Sequence, residues 1–153
     1  MKVLIIYSPL LLILFLLSLS PEGPASQPIQ EPAQEEEVGP LEERMLVLKR
    51  GMRSLRRSLK DPEKDAASLD VIVEMQKAVA EGKLIPPPMV DAIPKEGRDE
   101  FVLDYRKLMI LTQQELLKLE MGLLENDRDS AKAAYDALKA MEDAGHERFT
   151  EDG

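Results

Sequence analysis

Residues 41–60 read LEERMLVLKRGMRSLRRSLK. Within this stretch Met45, Leu48, Met52, Leu55 and Leu59 recur at intervals of three, four, three and four. A helix completes a turn in 3.6 residues, so that spacing lays one apolar stripe along a single face. Asp61-Pro62 then closes the segment, because proline lacks an amide proton and crowds the preceding turn.

The same period returns three times. Leu69, Ile72, Met75 and Val79 predict a second helix over 65–80, with Gly82 as its stop. Phe101, Tyr105, Leu108, Thr112, Leu116, Leu119 and Leu123 predict a third over 98–125. Ala131, Ala134, Tyr135, Leu138, Met141 and Phe149 predict a fourth over 130–149. Residues 126–129, Asn-Asp-Arg-Asp, form a capping turn between the last two. Between the second and third lies LIPPPMVDAIPKEG, residues 84–97, whose four prolines exclude a regular helix. Its apolar Leu84, Ile85, Met89, Val90 and Ile93 predict packing over one end of the fold. Two short connections and one longer one predict an all-α protein, an antiparallel up-down-up-down four-helix bundle.

Composition agrees. The chain has 153 residues, enough for one folded domain, and only 4% aromatics with no Trp, which disfavours a β-rich fold. A formal net charge of -9 excludes nucleic acid as the expected partner. Residues 1–25 read as a signal peptide: Met1-Lys2 is basic, residues 3–19 are nearly all apolar, and Gly23-Pro24-Ala25 offers small residues for cleavage. Residues 26–40, SQPIQEPAQEEEVGP, read as a disordered acidic and Pro-rich linker. The folded domain is expected over 41–153. Export to the periplasm follows, with no stable membrane association after cleavage.

The chain holds one histidine, His146, and no cysteine. Catalytic triads, paired-His zinc sites, thiolate chemistry and covalent haem attachment lack their residues. A carboxylate-bridged di-iron centre is excluded too, since it takes a Glu-x-x-His from each of two helices. An axial site remains, with His146 partnered by a softer ligand. Met52 offers one. In the expected bundle the first and fourth helices are antiparallel neighbours, and the two residues agree in height to within about two turns of 5.4 Å. His146 lies about 20° from Tyr135 on the helical wheel. Thioether and imidazole facing one apolar slot suit a haem iron. Taken singly, each residue has a plainer reading. Methionine fills cores, and histidine is favoured at helix C-termini by the dipole.

The segment from Leu48 to Lys60 resembles the first helix of the soluble cytochrome b562 family, in which a Met followed by Leu residues and Lys supplies an axial ligand. The match carries over to Met52, Leu55, Leu59 and Lys60. Ala144-Gly145-His146-Glu147-Arg148-Phe149 resembles the family's last helix, where a His three residues before an aromatic supplies the other. Pro86-Pro87 resembles a double proline in its central loop. Phe101, Tyr105 and Leu108 resemble inward residues of its third helix, two of them aromatics flanking the haem. The chain departs from the family after His146, where Arg148 stands in for an arginine near a propionate, and in its proline-rich loop and acidic leader.

The resemblance implies a periplasmic electron-transfer protein holding one non-covalent haem b. Met52 and His146 are its expected metal ligands, and Leu48, Leu55, Phe101, Tyr105 and Leu108 its expected pocket. No enzymatic activity is expected, because two protein ligands leave iron no open position. The expected partner is a redox protein. Arg44, Lys49, Arg50, Arg53, Arg56, Arg57 and Lys60 give the first helix a basic face for it, or simply a solvated face paired with neighbouring acids. The alternative is a haem-free four-helix binding or chaperone-like protein acting on a protein partner.

Overall fold

In a computed structural model the described residues, 38–150, form four α-helices and two short 3-10 turns, with no strand among them. The all-α expectation holds. The leader over 1–25, and the linker over 26–40 except its last three residues, lie outside the described residues. None of the described helices is long and apolar enough to cross a membrane.

Helix α1 spans Pro40–Ser58. Pro40 opens it, where the missing amide proton costs nothing. Glu42 and Glu43 in its first turn and Arg56 and Arg57 in its last oppose the helix dipole. A 3-10 turn, Pro62–Lys64, leads into α2, Asp65–Gly82. The α1–α2 corner is pinned inside the core. Ser58 Oγ and Ser68 Oγ lie 2.7 Å apart, and Ser68 Oγ also lies 2.9 Å from the Lys64 carbonyl. One proton per hydroxyl fits a chain in which Ser58 donates to Ser68 and Ser68 to the carbonyl. At the far end of the pair, Arg44 meets Glu81 at 2.7 Å.

The proline-rich connection contains a 3-10 turn, Pro88–Ala92, that the four prolines did not predict. Pro87 is buried, and Ile85, Met89, Val90 and Ile93 pack against the core as expected, but Leu84 stands 67% exposed. Helix α3, Lys95–Leu124, starts three residues before the expected Arg98. Pro94 sets its entry, and the Gly97 amide donates to the Pro94 carbonyl at 2.9 Å. The Arg98 side chain reaches back to the carbonyls of Ile93 and Asp91, both at 2.9 Å.

Asn126 stops α3 with a φ of 56°, a left-handed conformation that Asn tolerates better than most residues. The Asp127 amide then donates to the Gly122 carbonyl at 2.8 Å, and the Asn126 amide to Leu123 at 3.2 Å. Asp127 in turn caps α4, Arg128–Phe149, by accepting from the Ser130 amide at 3.0 Å. The hydrogen bonds from Ser130 hold the Asp127 carboxyl below its ordinary pKa.

Helices α1 and α2, α2 and α3, and α3 and α4 pack as successive pairs. Leu55, Ile72, Met75, Val79, Leu116 and Leu119 are essentially sealed from solvent between them. Each such side chain stabilises the fold by roughly 1.5–3 kcal/mol relative to exposure. Met109, absent from the expected inner face of α3, also belongs to this core.

Candidate functional site

The expected ligand pair is the natural place to begin. Met52 lies buried near the middle of α1, and its backbone carbonyl accepts a hydrogen bond from the Tyr135 hydroxyl at 3.2 Å. That bond fixes the relative height of α1 and α4. A groove of about 470 Å³ next to it is lined by Arg56 and Leu59 from α1 and by Arg128 and Ala131 from α4, so the end of α1 meets the start of α4. His146 stands eleven residues beyond Tyr135, toward the opposite end. At 1.5 Å per residue that is about 16 Å of helix. The expected agreement to within two turns becomes about three, and the His146 ring is exposed while Met52 is buried.

The His146 end of the fold has its own constellation. Phe149, one turn past His146, meets Phe101 edge-on at 5.1 Å between ring centroids and Tyr105 at 5.4 Å. The Tyr105 hydroxyl donates to the Gly82 carbonyl at 3.1 Å. Burial pushes the Tyr105 phenol up to about 12. Gly82 has no Cβ, and a methyl group there would lie 3.1 Å from Met109 Cε and 3.3 Å from Met45 Cε. Met45, half-buried on α1, is thus carried to the same end as Tyr105, Phe149 and His146. Met45 lies seven residues, about 10 Å, from Met52 along α1 toward that end, and so stands nearer than Met52 to the height of His146.

The remaining expected pocket residues divide along the same line. Phe101 and Tyr105 are buried at the His146 end, and Leu108 lies against Gly145, where an added Cβ would meet its Cδ2 at 3.2 Å. Leu48 is half-buried one turn from Met45. Leu55 is fully buried beyond Met52 and does not reach this end. Arg148 is engaged by Asp104 and lies 5.7 Å from the Phe149 ring centroid.

The signal for Met45 is present in the sequence but ambiguous. Met45, Leu48 and Met52 repeat one heptad earlier the spacing of Met52, Leu55 and Leu59. Spacing alone cannot choose between the two copies. A thioether and an imidazole at one end, beside three aromatic rings, suit the donor set of haem iron in type. The five further cations of α1, with Lys60 just past its end, form no ion pair among the described residues, which leaves Lys49, Arg50, Arg53, Arg56, Arg57 and Lys60 as an exposed basic strip.

No family model matches the chain, and neither a curated protein nor a solved structure does.

Proposed function

We propose that the chain is an antiparallel up-down-up-down bundle that binds one non-covalent haem b and passes single electrons to a redox protein partner in the periplasm. The observation that carries this reading is the gathering of Met45, Tyr105 and Phe149 at the end of the fold that bears His146. His146 and Met45 would hold the iron, with Met45 replacing Met52. Phe101, Tyr105, Leu108 and Phe149 would exclude water from one side of the group. Bound there, haem supplies one-electron redox chemistry, and a methionine ligand raises its potential. Tyr105 stays protonated throughout the physiological range and keeps the end of α2 fixed against α3. The basic strip of α1 suits an acidic partner surface, since charge steers encounter more than it strengthens binding.

Haemin titration of the purified protein tests the reading. The expected result is a low-spin six-coordinate spectrum that His146→Ala and Met45→Ala each abolish and Met52→Ala leaves in place. Loss in Met52→Ala with retention in Met45→Ala would restore the original pair. Spectra indifferent to all three substitutions reject specific axial ligation. A second reading, a haem-free bundle acting on a protein partner, rests on the same unpaired basic strip. A colourless, fully helical protein isolated from its native host favours it.

A further inference from the structure

Helix α3 carries two apolar faces. One packs inward through Phe101, Tyr105, Leu116, Leu119 and Leu123. The other points away from the core. Leu103, Ile110, Leu117 and Leu124 recur at intervals of seven residues and are 52%, 43%, 50% and 59% exposed. Met121, on the same line at 100° per residue, is 54% exposed. Phe101 and Leu119 lie diametrically opposite this line on the wheel. On a straight helix a seven-residue interval drifts by only about 20° per heptad, and two helices that wrap left-handedly about each other keep it on one seam. Here the seam runs almost from end to end of a 30-residue element.

We propose that this outer face of α3 pairs with the same face of a second copy of the chain. Exposed leucines scattered singly are ordinary, but five large apolar side chains along one face of one helix, with Lys107 and Gln114 between them, are not. Each of the five side chains presents on the order of 100 Å², or roughly 500 Å² per protomer. The aliphatic stems of the exposed Arg106, Lys107 and Gln114 border the line and extend it. Two such faces together bury about 1,200 Å², which reaches the lower bound of stable protein interfaces. A two-fold interface sets the same patch of both chains face to face, and an apolar line on one helix can meet its own copy in that way. The basic strip lies on and just beyond α1, and Phe101 and Tyr105 of the haem reading lie on the inner face of α3, so this pairing is independent of the haem reading.

Sedimentation equilibrium of the full chain, from micromolar to hundreds of micromolar, tests the proposal. The expected mass is twice the 17.2 kDa of one chain. Ile110→Glu combined with Leu117→Glu is expected to weaken the dimer at least a hundredfold with helical content unchanged. Leu103→Lys with Leu124→Lys repeats the test at the two ends of the stripe, should the central pair lose helicity. A single-chain mass across the range overturns the proposal. A dimer that both pairs of substitutions leave intact overturns it equally.

Discussion

The Tyr105 hydroxyl on α3 donates to the carbonyl of Gly82, the last residue of α2, at 3.1 Å. The same carbonyl accepts the Ile85 amide at 3.0 Å. Two donors on one oxygen join the end of α2, the start of the proline-rich connection and the first turns of α3. Tyr105→Phe removes one donor and leaves the carbonyl satisfied by the other. The ring still fills its place against Phe149. A loss of about 0.5–1.5 kcal/mol in urea unfolding is therefore expected, the net worth of one hydrogen bond. A loss well above 3 kcal/mol would mean that the hydroxyl has a larger part in the packing than this geometry gives it.

The same phenol makes stability depend on alkaline pH. Burial raises the folded-state pKa from 10.0 to about 12. Above pH 10 the unfolded chain releases this proton while the folded chain retains it. The unfolded state then binds fewer protons, so stability falls as pH rises from 10 to 12. The full difference is roughly 2–3 kcal/mol. Tyr135, also raised by burial, contributes in the same direction. The quantity to measure is therefore the stability of wild type minus that of Tyr105→Phe, which should fall steadily over that window and reverse in sign before its end. A constant difference from pH 9 to 12 would contradict the shift.

Gly122 permits a close approach between α3 and α4. A Cβ there would lie 2.8 Å from the Ala131 backbone nitrogen and 3.0 Å from its Cα. Backbone cannot swing aside, so the helices must separate. Gly122→Ala gains about 1 kcal/mol in helix propensity and loses more by overpacking, typically about 1–3 kcal/mol with occasional larger values. Net destabilisation is expected by thermal melting. Ala131→Gly removes the Ala131 Cβ, 3.1 Å away, but should rescue it only in part, because the two nearer obstructing atoms are main-chain. A stabilised Gly122→Ala variant would show that α3 and α4 approach less closely.

How far the sequence discloses this molecule depends on the kind of information asked of it. The inner faces are legible, because Leu55, Ile72, Leu116 and Leu138 follow a period that only a helix makes useful. The α3–α4 corner is legible because Asn126 and Asp127 have few other roles in sequence. Heights between helices are not. Met45 and Met52 sit in identical local patterns, and only the length and path of the connections decide which one faces the end of α4. The outward line of Leu103, Ile110, Leu117 and Leu124 was hidden differently. Once an inner face is assigned to α3, its remaining leucines read as incidental, although their interval of seven is visible in the sequence.

Gly51 and Met75 give the α1–α2 interface its own test. A Cβ at Gly51 would fall 2.2 Å from Met75 Sδ and 2.5 Å from its Cγ. Unlike Ala131, Met75 is a flexible side chain and can bend away, though it is 1% exposed and its neighbours are tightly packed. Gly51→Ala should therefore cost about 1–2 kcal/mol. Met75→Ala should cost roughly 2–5 kcal/mol, from lost burial and the cavity left behind. The new methyl of Gly51→Ala points into that cavity. The double variant is thus expected to be more stable than the sum of the two losses predicts, by about 1 kcal/mol or more. Strict additivity in a chemical-denaturation cycle would show that the two residues do not share this space.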